Sequence, residues 1–214
     1  MKKNILTAAI LLCASIAFAQ TANDSRAILD RAFAGYEAST GISLQFSINI
    51  TEANGVEHQT QSGEAKIRGD RFKLMMDDIY VWFDGTTQWV LLKSVDEVNI
   101  SNPTNEEIAT ISPLALLGMY RDGYVLQSPV LKTINGRNAY VIEMIPVSSN
   151  SDFREVSVAV DRQTHTILQV NLTLSNGMRN RIDITNYNAN HNFATSMFVF
   201  NENDFPGVEV VDLR

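Results

Sequence analysis

The stretch VWFDGTTQWVLL, residues 81–92, carries two tryptophans, a phenylalanine and aliphatic side chains on either side of a short polar segment. An Asp-Gly pair between apolar runs predicts a tight turn, because glycine adopts a positive φ angle without steric cost. The stretch therefore predicts a β-hairpin of two hydrophobic strands. Nearly every position outside the turn is apolar, so alternation does not show which of Trp82 and Trp89 faces an apolar interior.

Alternating strands are predicted on both sides of this hairpin. ISLQFSINI, residues 42–50, puts apolar side chains on one face and polar side chains on the other. Further alternating runs such as AYVIEMI and ILQVNLTL are separated by turn signals. These signals lie at 53–55, 68–70, 135–136, 161–163 and 176–177. The pattern predicts ten or eleven strands in consecutive hairpins, and hence a large, strongly curved antiparallel sheet within an α+β fold.

An amphipathic helix is predicted before the first strand. Asn23, Asp24 and Ser25 are favourable N-cap residues, and apolar residues at 27, 28, 32, 33 and 36 recur at helical spacing until Gly41.

A second helical region interrupts the strands at residues 102–124. Thr104 and Glu107 form a capping-box pattern, and PLALLGMY, residues 113–120, begins with a proline that suits a helix start. This short segment is apolar on nearly every side. Such a helix must be buried all round, or must cover something that enters and leaves.

The first twenty residues, MKKNILTAAILLCASIAFAQ, have the pattern of a secretory signal peptide. Two lysines precede an apolar run, and Ala17-Phe18-Ala19 predicts cleavage after Ala19, which leaves residues 20–214 as one domain with no stable membrane anchor. Cys13 lies in the removed segment, so the remaining chain has no cysteine for a disulfide or a thiolate metal site. A secreted chain without disulfides fits the periplasm of a bacterium.

The charge balance is acidic. The 24 acidic and 17 basic residues give a net charge of −7, and without Lys2 and Lys3 the 15 remaining basic residues give −9. This charge argues against nucleic-acid binding and against permanent residence on an anionic membrane.

No catalytic or metal-binding pattern occurs in the sequence. His58, His165 and His191 are far apart in polar stretches and are predicted to lie at the surface. Asp77-Asp78 is predicted to lie in a turn or at a sheet edge, because adjacent strand residues point to opposite faces. No serine lies in a nucleophile motif, and no phosphate-binding glycine loop is present. The sequence therefore predicts neither an enzyme nor a cofactor site.

Four features in order resemble the periplasmic lipoprotein carrier proteins of Gram-negative bacteria, the LolA-like family. The first is a signal peptide followed by one amphipathic helix and an alternating strand. KIRGDRF, residues 66–72, resembles the family's turn with a basic residue, Arg, Pro and Phe. WFDGTTQWV, residues 82–90, resembles its Asp-Gly-x-x-x-Trp hairpin, and FVFNENDFPGVEVVDL, residues 198–213, resembles its C-terminal segment.

The resemblance implies an unclosed β-barrel with a helical lid, at about residues 104–121, over a concave apolar face that takes acyl chains. In the family, an arginine before the Pro turn hydrogen-bonds lid carbonyls and holds the lid shut. Arg68 falls on that position, and Gly69 replaces the proline. The side chains expected in the acyl-chain cavity and lid are those of Leu44, Phe46, Ile48, Phe72, Met76, Trp82, Trp89, Leu114, Leu117, Met119 and Tyr120.

The function implied by the resemblance is a monomeric carrier that shelters the acyl chains of lipoproteins and moves them from the inner to the outer membrane. Its implied partners are an inner-membrane releasing transporter and an outer-membrane receptor. Two alternatives remain open. One is a periplasmic module on the same fold that senses lipid or lipoprotein, and the other is an enzyme on a β scaffold, which the missing acid–base pattern disfavours.

Overall fold

The computed structural model describes residues 24–104, 107–108, 120–121 and 123–214. The predicted signal peptide and the predicted lid residues Leu114, Leu117 and Met119 lie outside the described residues. Helix α1 occupies residues 24–37. The strands are β1 (Ile42–Thr51), β2 (Gln61–Arg68), β3 (Arg71–Met76), β4 (Ile79–Phe83), β5 (Gln88–Leu92), β6 (Glu97–Ser101), β7 (Tyr124–Leu126), β8 (Val130–Ile134), β9 (Arg137–Pro146), β10 (Phe153–Asp161), β11 (Ile167–Leu174), β12 (Arg179–Asn188) and β13 (Glu209–Asp212).

The described strands form one 13-stranded sheet with the order β13-β6-β5-β4-β3-β2-β1-β12-β11-β10-β9-β7. Strand β8 pairs with β9 on the same side as β7. Every pairing of these strands is antiparallel except that of β13 with β6, which is parallel. The two ends of this order do not pair with each other, so the sheet is not closed. The predicted fold class, a curved antiparallel sheet forming an unclosed barrel with an N-terminal helix, is confirmed.

The opening hairpin forms as its sequence predicts. Strands β4 and β5 pair from Ile79 with Leu92 to Phe83 with Gln88. In the turn, Oδ1 of Asp84 accepts hydrogen bonds from the backbone nitrogens of Thr86 and Thr87, both at 2.9 Å. Gly85 has a φ of 101°, a conformation that favours glycine over residues with a side chain.

The sheet is curved because a single helix is too short to cover the whole of its apolar face. Strands β1 to β4 and β9 to β12 all bury apolar side chains on the same face. Because β7 and β8 lie along the same edge of β9, the flat sheet would be 12 strands and about 53 Å wide at the usual spacing, whereas α1 is about 21 Å long. The sheet therefore curls around its own apolar face, and α1 packs against the concave side.

The structure differs from the predicted strands at three points. The polar strand expected from residue 56 begins at Gln61. The two short edge strands β7 and β13 were not predicted, because three or four residues carry too little alternation to be distinguished from a loop. The Asp77-Asp78 pair lies in the exposed turn between β3 and β4, as predicted.

Candidate functional site

The concave face carries a continuous apolar cluster. Leu29 of α1, Ile142 of β9, Val156 of β10 and Val170 of β11 are all fully buried in it. We call the buried apolar side chains of this face, together with those packed against them, the concave cluster. Helix and sheet therefore contribute to one continuous apolar layer.

The structure brings six of the predicted cavity residues together here. Three are buried members of the concave cluster, two are partly buried against it, and one, also buried in the cluster, lies near the end of the predicted lid. These residues are, in that order, Leu44, Phe46, Phe72, Ile48, Met76 and Tyr120. Sequence reasoning left out the equally large contribution of β9 to β12, although the alternation of AYVIEMI and ILQVNLTL carried that signal.

The chain leaves the sheet after β6 through the predicted capping box. The backbone nitrogen of Thr104 donates to Oε2 of Glu107 at 2.7 Å, and the nitrogen of Glu107 donates back to Oγ1 of Thr104 at 3.3 Å. The capping box is therefore confirmed. The next described residue, Ile108, packs against the concave cluster.

The chain returns at Tyr120, which is fully buried in the same cluster. Its hydroxyl donates a hydrogen bond to Oδ1 of Asp30, and its ring contacts Phe33 edge to face at 6.4 Å between centroids. The guanidinium of Arg121 lies 4.2 Å from the ring centre of Phe33. Both described ends of the 104–121 region thus contact the concave cluster, and the second is anchored to α1.

A buried serine anchors the next segment to the same helix. Ser25 of α1 is fully buried, and its Oγ donates to the carbonyl oxygen of Gln127 at 2.6 Å. Helix α1 therefore holds the segment from Tyr120 to Gln127 at several points along its length.

The two tryptophans lie on the other face of the sheet. Val81 and Phe83 belong to the concave cluster, so Trp82 between them points outward. It packs in a separate cluster with Trp89 and with Phe200 and Phe205 of the C-terminal segment. The expectation that both tryptophans line the acyl-chain cavity is corrected accordingly. Alternation places both tryptophans under the C-terminal segment. The sequence could not show which face of the sheet they occupy, because both strands of the hairpin are apolar at nearly every position.

Arg68 lies at the end of β2, next to the predicted turn. Its Nη1 donates to the carbonyl oxygen of Phe193 at 2.6 Å. Phe193 lies between β12 and two short 3-10 helices, Thr195–Phe198 and Glu202–Asp204. Gly69 has a φ of 59°, which proline cannot adopt, so this turn differs in conformation from one built on proline. The hydroxyl of Tyr36 in α1 donates to the carbonyl oxygen of Gly69. The turn thus connects the helix, the sheet and the C-terminal segment.

Two of the three histidines are less exposed than predicted, and His58 lies at the surface as predicted. His58 is exposed and pairs with Glu52, whereas His165 and His191 are half-buried. His191 stacks on Phe193 at 5.2 Å between ring centroids, and His165 lies in a hairpin turn beneath α1. These tertiary contacts partly cover both rings in spite of their polar sequence surroundings. In the described ranges, no group of three or more His, Cys, Asp or Glu side chains is arranged to hold a metal ion.

An unclosed barrel whose helix covers an apolar concave face defines a class of proteins that enclose hydrophobic ligands. Residues 15–174 match the family described as outer membrane lipoprotein carrier protein LolA, which is well over half of the chain. The protein belongs to this family, and the resemblance predicted from its sequence is confirmed. Among curated proteins, no match to the chain was found.

Solved structures share the fold at low identity. An uncharacterized conserved protein from Thermus thermophilus has a TM-score of 0.59 and 10% identity, and the match covers 88% of this chain and 99% of that one. A DUF1329 family protein from Desulfovibrio piger has a TM-score of 0.52 and 13% identity, with 87% and 99% covered. These similarities show the fold alone. In the part of the chain that the structure describes, no helix is long and apolar enough to cross a membrane.

Proposed function

We propose that this protein is a periplasmic carrier that shelters the acyl chains of lipoproteins against its concave face and carries them from the inner to the outer membrane. The observation that supports this most is the concave cluster, to which α1 and strands from both halves of the sheet contribute apolar side chains. Family membership supports the same assignment. The proposal requires binding and release, and no bond is made or broken.

The energetics of acyl chains explain why a carrier would be needed. Each methylene kept from water contributes about 0.8 kcal/mol, so a dozen methylenes amount to roughly 10 kcal/mol. Escape of such a chain into water would be negligibly slow. Transfer must therefore be direct, from a releasing transporter at the inner membrane and to a receptor at the outer membrane. Both partners are part of the proposal.

We further propose that residues 1–19 are removed on export, that residues 20–214 act as one domain, and that the region at about 104–121 covers the concave face. The contacts of Ile108 and Tyr120 with the concave cluster support the last point. Closure of the empty carrier would keep an apolar surface from water and so limit aggregation.

Native mass spectrometry of the protein taken directly from the periplasm, followed by organic extraction, tests this function. We expect a bound mass that corresponds to a lipid-modified peptide or an acyl lipid. Protein that is bare, and stays bare after incubation with a triacylated lipoprotein, would contradict the carrier proposal. A bound lipid without transfer to an outer-membrane acceptor would instead favour a sensing module on the same fold.

Replacing Arg68 by leucine is expected to speed the release of bound acyl chains while leaving the protein folded. The change removes the hydrogen bond to Phe193 and loosens the turn to which α1 is tied through Tyr36. We expect the free energy of unfolding to fall by about 1 kcal/mol, because one partly exposed charged hydrogen bond is lost. Release of a fluorescent acyl probe and urea unfolding measure the two effects. Arg154→Leu, at an exposed site on β10, is the control, and unchanged release in Arg68→Leu would exclude the role.

A further inference from the structure

A pocket of about 230 Å³ lies between α1 and the hairpin of β10 and β11, at the border of the concave cluster. Its apolar walls belong to that cluster or pack against it, so the pocket borders the face that is proposed to take acyl chains. It is smaller than a typical site for a whole ligand, which suits one chemical group of a larger molecule. The lining residues are Arg31, Ala32, Gly35, Tyr36, Thr164, His165, Thr166, Ile167, Ile184, Tyr187 and Ala189.

The polar groups of this pocket include hydrogen-bond donors and one cation. Arg31 is exposed on α1 and has no ion-pair or hydrogen-bond partner within the described residues. Burial raises the pKa of Tyr187, so its hydroxyl stays neutral and can donate. Among the described residues, no aspartate or glutamate lines the pocket. A cation beside neutral donors, without a competing carboxylate, favours an anionic ligand.

His165 is held against the pocket by a tightly built turn. The carboxylate of Asp161, which is 3% exposed, accepts hydrogen bonds from the backbone nitrogens of Gln163 at 2.8 Å and Thr164 at 2.7 Å. Nε of Arg137 lies 2.8 Å from the same carboxylate. These bonds fix the backbone that presents His165, whose φ is 58°.

One ring nitrogen of His165 lacks a protein partner. Its Nδ1 is buried and makes no hydrogen bond to any described residue. Buried polar atoms are nearly always paired, so this unpaired nitrogen distinguishes His165 from the other side chains that line the pocket.

From these features we propose that the pocket binds the anionic head, a carboxylate or phosphate, of a single-chain lipid whose acyl chain lies along the concave cluster. Arg31 supplies the charge, and the ring of His165 and the hydroxyl of Tyr187 supply hydrogen bonds. The inference rests on the proposed acyl binding of the concave face and adds a class of ligand to it.

Isothermal titration calorimetry of the full purified protein with three ligands of equal chain length tests the inference. The ligands are dodecanoate, dodecyl phosphate and dodecanol. We expect at least one of the two anions to bind more tightly than the alcohol. The tighter anion then identifies whether a carboxylate or a phosphate is the preferred head group.

Arg31→Gln should lower the affinity for the preferred anion about tenfold and leave dodecanol binding unchanged, because only the charged contact is lost. The matched control is Arg162→Gln, which removes the same charge from an exposed position in the neighbouring turn, outside the pocket. His165→Asn, which keeps a residue that tolerates positive φ, should also weaken anion binding.

The outcomes separate this inference from the carrier proposal. If all three ligands bind equally and Arg31→Gln changes none of them, the concave face takes acyl chains and the head-group site is excluded. If none of the three binds, acyl binding itself fails, and the inference fails with it. If Arg31→Gln and Arg162→Gln lose the same affinity for the preferred anion, the effect comes from long-range charge. That result would overturn the proposed head-group site.

Discussion

Replacing Trp82 by alanine is expected to lower the free energy of unfolding by about 4 kcal/mol, which is typical of truncating a buried tryptophan. The same change should leave the binding of acyl ligands intact in the protein that remains folded. Both expectations follow from the side of the sheet on which this tryptophan lies.

Trp82 is 3% exposed and joins the sheet to the C-terminal segment. Its ring contacts Phe200 at 5.5 Å and Phe205 at 5.6 Å between centroids, both edge to face, and Nζ of Lys73 lies 5.1 Å from its ring centre. The alanine variant would leave a cavity beneath both phenylalanines. Because β13 is the edge strand that follows them, we expect its pairing with β6 to open more often.

Urea unfolding measures the loss of stability, and hydrogen exchange of β13 measures the local opening. Trp89→Ala is the matched control, since Trp89 pairs with Trp82 across the hairpin but is half-buried. Its stability loss should be smaller because less apolar area is removed from contact. If Trp82→Ala abolished acyl binding at unchanged stability, Trp82 would line the acyl site after all.

The hairpins of this fold were predictable because local chemistry specifies them. Asn135 and Gly136 have φ angles of 50° and 76°, which are the values that a two-residue turn between β8 and β9 demands. Strand β13 was not predictable in the same way. It pairs in parallel with β6, more than a hundred residues earlier in the chain. No local turn signal in the sequence indicates such a long-range pairing.

The candidate site was predictable to a similar extent. Leu44, Phe46 and Ile48 share one face of an alternating strand, so their placement in or against the concave cluster followed from periodicity. The small pocket could not be predicted from periodicity, because its polar side chains come from separate elements that meet only in the folded chain. For the same reason the contact of Arg68 with Phe193, 125 positions away, has no local signal.

Replacing Tyr120 by alanine should release the C-terminal end of the proposed cover from α1. Tyr120 is fully buried, and its truncation is expected to cost about 4 kcal/mol of stability. It also removes the hydrogen bond to Asp30 and the ring contact with Phe33. If the region at about 104–121 covers bound acyl chains, loss of this anchor should speed their release at least about tenfold. A tenfold change corresponds to about 1.4 kcal/mol, which is less than the expected loss of stability.

Tyr120→Phe separates packing from hydrogen bonding. It keeps the ring against Phe33 and loses only the hydroxyl contact with Asp30, so we expect a loss of about 1 kcal/mol and a small change in release. Stopped-flow release of a fluorescent acyl probe, read beside hydrogen exchange of residues 120–127, compares the variants. Faster exchange in Tyr120→Ala with unchanged release would show that this end of the chain moves independently of the ligand, and that Tyr120 stabilises the fold without controlling the cargo.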